Sequence, residues 1–131
     1  MKSLHDVVKS ADWKSEKHVP VIDAPESAKA GDWVEVSATV GKEIAHPNTT
    51  EHHICWIALH FVPDGASISY ELGRFEFSAH GQSAKGANEG PAFTDSRVSI
   101  RARLLVPGTL FATTYCNIHG LWESSRRITL A

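Results

Sequence analysis

The sequence predicts an all-β fold, an immunoglobulin-like antiparallel β-sandwich of about seven strands. Apolar residues recur either at every second position or in short unbroken runs, which is typical of strands. Clusters of Gly, Pro and Asn separate these runs, and no stretch has the periodicity of a long helix. Because 42% of the 131 residues are hydrophobic, the chain can bury one core, and we expect a single domain over residues 1–131.

The first forty residues predict one strand, preceded by irregular structure. Residues 4–14 favour a short helical turn, and Pro20 and Pro25 keep the following segment extended. Apolar residues at positions 34, 36, 38 and 40 then alternate with polar ones, the pattern of a half-buried strand. Residues 41–53 predict a loop because they are polar and contain Pro and Asn.

The remaining strands are of two kinds. Residues 54–62 are apolar almost throughout, which predicts a central strand covered on both faces. Residues 97–104 alternate apolar and polar side chains, which predicts an antiparallel strand with one face in solvent. Further strands are predicted within residues 68–79, 110–115 and 125–130, and the longest loop is predicted at residues 81–91.

The composition argues against several classes of function. A formal net charge of −2 disfavours a protein that binds nucleic acid. No apolar run is long enough to span a bilayer, and Asp6 and Lys9 stand where a signal peptide needs an apolar core, so we expect a cytoplasmic protein without a membrane partner. In that setting a lasting disulfide between Cys55 and Cys116 is disfavoured, and a free or metal-bound thiol is expected.

Histidines are frequent in this chain, and most of them fall in predicted loops. Eight histidines are present, and imidazoles on irregular backbone beside Pro and Asn are poor candidates for core packing. A cysteine and a histidine three residues apart, after an apolar run, add a soft thiolate ligand. These residues are His18 in EKHVP, His46, His52 and His53 in HPNTTEHH, and Cys116 and His119 in YCNIHGLW.

Several imidazoles with one thiolate suit a redox-active first-row metal. A blue-copper site would also need an axial thioether downstream of the cysteine, but the one methionine is Met1. Structural zinc would take four ligands in a closed tetrahedron, and the chain offers more histidines than that. Mononuclear non-haem iron, held by four histidines and one cysteine with one position open, remains.

The three motifs EKHVP, HPNTTEHH and YCNIHGLW, in this order in one β-rich domain, resemble those of the superoxide reductases. More narrowly, the chain is similar to the one-iron neelaredoxin type, since it has no cysteines for the N-terminal four-cysteine iron domain of larger desulfoferrodoxins. The resemblance covers essentially the whole chain, including GRFEF and VGKEI. It implies one-electron reduction of superoxide to hydrogen peroxide at mononuclear non-haem iron, for superoxide detoxification.

The resemblance also assigns roles to individual residues. Glu16 would occupy the sixth position of the iron in the oxidised state. Lys17 would lie near the open position in the reduced state, where its charge would attract an anionic substrate. Four equatorial histidines and one axial thiolate would hold the iron, namely His18, His46, His52, His119 and Cys116.

The same resemblance implies an electron donor such as rubredoxin and a homo-oligomer, either a dimer or a tetramer. The row of Arg97, Arg101 and Arg103 is either an ordinary solvent-facing side or a docking surface for an acidic donor of this kind. The alternative function is a cupredoxin-like electron carrier that turns over no substrate, and a plain binding module with incidental histidines is the third.

The cysteine and the histidines left outside this ligand set have simpler interpretations. His53 faces away from His52 if the backbone there is extended, because adjacent side chains alternate. Cys55 lies in the predicted central strand, which favours an inert buried thiol. Surface or packing roles are expected for the three histidines outside the motifs, His5, His60 and His80.

Overall fold

The computed structural model describes residues 2–131 and consists of two β-sheets with one short 3₁₀ helix. The helix, Leu4–Asp6, is the short turn that the sequence predicts near the N-terminus. The strands are β1 Pro20–Asp23, β2 Ser27–Ala28, β3 Trp33–Val40, β4 Ile54–Pro63, β5 Tyr70–Glu76, β6 Arg97–Arg103, β7 Gly108–Cys116 and β8 Gly120–Leu130. Among residues 2–131, no helix has the length and apolar character needed to cross a membrane.

The two sheets confirm the predicted all-β sandwich. One sheet has the order β1-β3-β6 and the other β2-β8-β7-β4-β5, and every pair is antiparallel except β2 with β8. Side chains from both sheets form one core, in which Val36 from the first sheet packs with Ile57, Leu59, Leu110 and Ile128 from the second, all without solvent exposure. Burial of this apolar surface supplies the main driving force for folding.

The structure has eight strands, against the about seven expected, and β1 and β2 are the two that the sequence analysis does not place. Pro20 begins β1, where a proline is tolerated because the first residue of a strand need not donate to the ladder. β2 has only two residues and lies at a sheet edge, so its sequence carries almost no alternation to detect. Prolines next to these strands made the segment look irregular.

β4 is covered less completely than its apolar sequence predicts. Ile57 and Leu59 lie in the core, whereas Trp56 and His60 on the opposite face are partly exposed. That outer face lies outside the two-sheet core, and residues of the N-terminal segment (Leu4, His5 and Val8) line an open cavity there with Trp56 and His60. Large aromatic side chains on that outer face hid the alternation in the sequence.

β8 starts at Gly120, earlier than the predicted 125–130, and this difference matters for the site. Cys116 ends β7 opposite Gly120, so the three residues between them form the tight turn of a β7–β8 hairpin. Gly120 has a φ of +82°, a backbone conformation that favours glycine. The cysteine–histidine motif is therefore the tip of a hairpin.

Candidate metal centre

Strand register places all the predicted ligands at one end of the sandwich. Pro20 pairs with Val40, so His18 just before β1 lies beside the loop that follows β3. Ile54 pairs with Cys116, so the end of the same loop lies beside the β7–β8 hairpin. Three segments that are distant in sequence thus meet at the end where β3 and β7 finish.

Four imidazole rings stand there at the corners of an approximate square. Going around it, the ring centroids of neighbours are 4.9 Å apart for His18–His46, 4.9 Å for His46–His52, 5.0 Å for His52–His119 and 4.6 Å for His119–His18. The diagonal from His18 to His52 is 6.5 Å. This is the arrangement that four equatorial ligands of one ion would have.

The ligand atoms of this square converge together with a sulfur atom. Nδ1 of His119 lies 3.1 Å from Nε2 of His18 and 3.2 Å from Nε2 of His52. Two metal–nitrogen bonds of about 2.1 Å at a right angle would place their nitrogens roughly 3 Å apart. Sγ of Cys116, which has no solvent exposure, lies 3.7 Å from the same Nδ1. These three nitrogens and the sulfur are all within 4.8 Å of one another.

Hydrogen bonds on the outer side of two rings fix which nitrogen faces inward. Nδ1 of His18 is 2.5 Å from a carboxylate oxygen of Glu16, and Nδ1–H of His46 donates to the Pro47 carbonyl at 2.7 Å. Each ring therefore holds its proton on Nδ1 and turns the Nε2 lone pair toward the centre. Such outer partners orient ligands and increase their basicity.

His46 carries the clearest sign of a metal ligand. Its Nε2 is buried and has no hydrogen-bond partner among the described residues. Burial lowers the pKa of His46 from 6.5 to about 4, with the charges of His18, His52 and Lys17 adding to the shift against the opposing bond to Pro47. A buried lone pair without a proton or partner is costly unless a ligand fills the site.

His52 is also held in the neutral form that binds metals. Burial lowers its pKa, and the nearby positive charges of His119, His18, Lys17 and His53 lower it further. Neutral imidazole is the form that binds a metal, so metal competes little with protons here.

The donor set fits iron. Four imidazoles and one thiolate exceed the closed tetrahedron of structural zinc, and among residues 2–131 no thioether is available for a blue-copper site. The backbone N–H of His119 approaches Cys116 Sγ at 3.4 Å, a contact that stabilises the thiolate form. The structure therefore brings together all five predicted ligands.

Glu16 and Lys17 lie beside His18 but in different settings. Glu16 accepts from the backbone N–H of His18 at 2.9 Å as well as from its ring; burial raises the pKa of Glu16, but these bonds and the His18 charge outweigh it, so the pKa is lowered. No bond or ion pair ties the Lys17 ammonium to any residue of 2–131, and its charge lowers the pKa of both His46 and His52. The ammonium therefore lies near the ring of imidazoles.

Trp122 is a further residue of the site, in addition to the predicted ligands. Its indole stacks on the His18 ring at 4.9 Å with an interplanar angle of 13°, and its Nε1–H donates to the His119 carbonyl at 3.3 Å. It thus contacts two ligands from outside. The one signal in the sequence is its place three residues after His119.

The structure also places the residues that were expected to stay outside the ligand set. His53 points away from the site and donates from Nδ1–H to the Thr49 carbonyl at 2.9 Å. Cys55 is partly exposed rather than buried, and both cysteines are free. Burial and the nearby Cys116 raise the pKa of the Cys55 thiol, against an opposing contact with the Asn117 N–H, so it is a poor nucleophile.

Of the other histidines, His60 hydrogen-bonds Thr113 and His5 is exposed. His80, in contrast, is buried and packs on His53.

Comparisons with known proteins agree with this geometry. The family model described as Desulfoferrodoxin matches residues 10–125. The chain is 53% identical over 125 residues to a neelaredoxin from Megalodesulfovibrio gigas, covering 95% of this chain and 96% of that one. It is 48% identical over 121 residues to a superoxide reductase from Pyrococcus furiosus, covering 92% and 95%. The structure of the reduced superoxide reductase (neelaredoxin) of Archaeoglobus fulgidus matches with a TM-score of 0.87 at 49% identity, covering 95% and 99%.

Proposed function

Because this chain belongs to the desulfoferrodoxin family, we propose that it is a superoxide reductase of the neelaredoxin type. It reduces superoxide by one electron to hydrogen peroxide at a mononuclear non-haem iron. The observation that carries the proposal is the square of four imidazoles with one buried thiolate beside it. A cupredoxin-like carrier is not favoured, because such a site has two histidines and no open position for a substrate.

The chain's own residues divide the work. His18, His46, His52, His119 and Cys116 would hold the iron, which when bound supplies the electron and a Lewis-acidic position for the substrate. The buried thiolate is shielded from water and is steadied by the His119 N–H, so its negative charge is kept at the site. Lys17 presents a free positive charge beside the imidazoles and raises the local concentration of anionic superoxide.

Glu16 has two roles in this proposal. In the structure its carboxylate accepts the Nδ1 proton of His18 and so holds that ring in its ligand tautomer. We also assign to it the sixth position of the oxidised iron. To take that position, the carboxylate must release the His18 ring. It stays near the site when it does so, because Glu16 is only two residues before His18 in the sequence.

The remaining assignments concern partners and setting. We propose a cytoplasmic homo-oligomer, either a dimer or a tetramer, whose single domain over residues 1–131 receives electrons from a donor such as rubredoxin. His119 is an exposed ligand and the neighbouring Ile118 is 58% exposed, so this hairpin tip offers a donor the shortest route to the metal.

The arginine row suits such a donor less well. Arg103 pairs with Trp33 at the start of β3, whereas the site lies beyond the end of that strand. Eight residues at ~3.3 Å each separate the two ends by more than about 20 Å. The row is therefore an ordinary solvent-facing side of the sheet at its Arg101 and Arg103 end.

The test combines metal content, visible spectrum and superoxide kinetics of the protein from iron-replete cells. We expect about one iron per chain, a blue colour on oxidation from thiolate-to-iron charge transfer, and rapid one-electron consumption of superoxide. Copper or zinc at full occupancy would overturn the iron assignment. Iron with the blue colour but without superoxide reduction would favour an electron carrier instead.

A further inference from the structure

His80 is a buried histidine outside the three ligand-bearing motifs. It follows β5, is 5% exposed, and forms an isolated bridge with Phe93. Its Nε2 lies 2.7 Å from the Phe77 carbonyl, and its Nδ1 lies 2.8 Å from Oδ1 of Asn48. Both neighbours are acceptors, so the neutral ring donates its one N–H to one of them and only contacts the other. Each ring nitrogen thus has a polar neighbour at hydrogen-bond distance, which fixes the orientation of the ring.

The contact with Asn48 connects His80 to the start of the ligand loop, residues 46–53. Asn48 lies two residues after the ligand His46, and its Nδ2 donates to the Thr94 carbonyl at 3.0 Å. The hydroxyl of Thr50 also donates to the His80 carbonyl at 3.1 Å. Two residues of the loop are therefore anchored on or beside His80.

The other end of the ligand loop rests on the His80 ring. The rings of His53 and His80 stack with centroids 3.5 Å apart and an interplanar angle of 4°. His53 directly follows the ligand His52, which lies in a bend just before β4. Holding the His53 ring on His80 therefore fixes the backbone from which the His52 ring reaches the metal centre.

We propose that His80 is a positioning residue for the metal centre, which sets the places of His46 and His52 through Asn48 and His53. These two ligands occupy neighbouring corners of the imidazole square. Because a single ring contacts both ends of the loop, it fixes the distance between the two ligands. If a different side chain held each end, that distance could vary. The proposal rests on the metal centre proposed above, and none of its tests requires superoxide turnover.

Three substitutions separate the two contacts. His80→Phe keeps an aromatic ring for the stack and loses the polar contacts of both ring nitrogens, whereas His80→Gln keeps a hydrogen-bonding side chain and loses the stack. Asn48→Ala removes the link toward His46 alone. His60→Ala is the matched control, because His60 is a partly buried histidine that hydrogen-bonds Thr113 on the outer face of the second sheet, away from the loop.

Iron(II) affinity, measured by competition with a chelator, is expected to fall about tenfold or more in each His80 variant, as it does when an outer partner of a ligand is lost. The visible band of the oxidised protein should shift in these variants and in Asn48→Ala, and stay in place in His60→Ala. A band shift reports the ligand field, which a loss of fold stability alone leaves unchanged.

Hydrogen exchange of the metal-free protein gives a readout that needs no iron. The amides of Thr50 and His53, which are bonded to Asn88 and Asn117 side chains, should exchange faster in the His80 variants than in His60→Ala. Unchanged iron affinity, band position and loop exchange in His80→Phe and His80→Gln would overturn the proposal. If one His80 variant does not fold, the other one and Asn48→Ala decide by the same criteria.

Discussion

The metal centre is lined by two segments that are held in different ways. The ligand loop, residues 46–53, is bonded to other parts of the chain at both ends and in its middle. Among the described residues, the N-terminal segment, residues 10–17, makes hydrogen bonds only within itself around Asp12 and from Glu16 to the adjacent His18. The first segment carries His46 and His52, and the second carries Glu16 and Lys17.

Besides the contacts with His80, two asparagines outside the ligand loop hold it. Asn88 accepts from the Thr50 N–H at 2.6 Å, and Asn117 accepts from the His53 N–H at 2.9 Å while donating to the Glu51 carbonyl at 2.8 Å. Asn88 itself has a φ of +66°, a conformation that asparagine tolerates better than most residues. The loop is therefore fixed by side-chain amides that replace the partners a strand would give it.

This difference matches the two tasks of the site. His46 and His52, which must keep a fixed geometry, lie on the ligand loop. The Glu16 carboxylate and the Lys17 ammonium must move as substrate arrives and product leaves, and they lie on a segment that makes few hydrogen bonds to the rest of the chain. Regions with few external bonds open at lower cost, so movement there leaves the ligand loop undisturbed.

The largest expected effect comes from removing a metal ligand on the ligand loop. His52→Ala removes one corner of the imidazole square, and we expect iron to be lost on gel filtration together with the blue colour of the oxidised protein. Metal analysis of the purified variant measures this. His5→Ala, at an exposed position away from the site, serves as the control and should retain about one iron per chain. Full iron content in His52→Ala would contradict the ligand assignment.

Hydrogen exchange compares the two segments directly. Because the amides of Thr50 and His53 are bonded to other parts of the chain, we expect them to exchange roughly 100-fold more slowly than those of Lys14 and Ser15, after correction for intrinsic rates. Mass spectrometry of deuterated peptides, or NMR, measures the ratio. Equal protection of the two segments would remove the basis of the comparison.

The stability of the metal-free protein should depend on pH through His46 on the ligand loop. The pKa of His46 is about 4 in the folded chain against an ordinary 6.5, so between these pH values the unfolded chain binds a proton that the folded chain does not. The stabilising contribution of neutral His46 is therefore fully present above pH 6.5. The free energy of unfolding falls as the pH drops toward 4, by roughly 1–2 kcal/mol after discounting for the partial exposure of His46.

Urea unfolding at several pH values measures this dependence. His46→Gln, which cannot titrate, should show a smaller loss over the same range. An identical pH dependence in that variant would assign the effect to other groups.

A smaller effect is expected from a change in the N-terminal segment, residues 10–17. Lys17→Ala should lower the rate constant for superoxide reduction about tenfold, because it removes the charge that attracts the anion, and should leave the iron in place. Pulse radiolysis or stopped flow measures the rate, and added salt should narrow the difference between the variant and the parent. Lys17→Arg keeps the charge and should lie between them. Loss of iron in Lys17→Ala would mean that this segment also holds the site together.

The smallest effect concerns Glu16. Glu16→Gln keeps an oxygen that can accept the Nδ1 proton of His18, so the rate with superoxide should stay within about threefold of the parent. The spectrum of the oxidised protein should change, because the carboxylate assigned to the sixth position is absent. An unchanged oxidised spectrum would refute that assignment, while a large fall in rate would place Glu16 in the chemical step.

Local marks in the sequence predicted the sandwich and indicated a metal site, whereas the choice of the five ligands rested on the resemblance of three motifs to those of the superoxide reductases. Alternation marks β3 and β6, and loop histidines beside Pro and Asn are difficult to explain as core residues. The short strands β1 and β2 were missed because proline and short length erase alternation. The early start of β8 was missed because the hairpin turn leaves only one positive-φ glycine as a sign.

The residues that support the ligands leave no such mark. His80 lies 27 residues beyond its stacking partner His53, and Trp122 lies 104 residues beyond His18, so both contacts exist only in the folded chain. The packing role expected for His80 does not include its contacts with Asn48 and His53 on the ligand loop. Neither periodicity nor composition reveals which loop a buried imidazole will support.

The hairpin tip has a consequence for how the protein is made. Cys116 and His119 follow the other three ligands in the sequence, and His119 contacts His18 across 101 positions. While the chain is being synthesised, His18, His46 and His52 emerge first, and the thiolate that completes the site emerges more than sixty residues after His52. The full set of ligands therefore forms only when β7 and β8 close the second sheet, so a nascent chain cannot acquire a complete iron site before it folds.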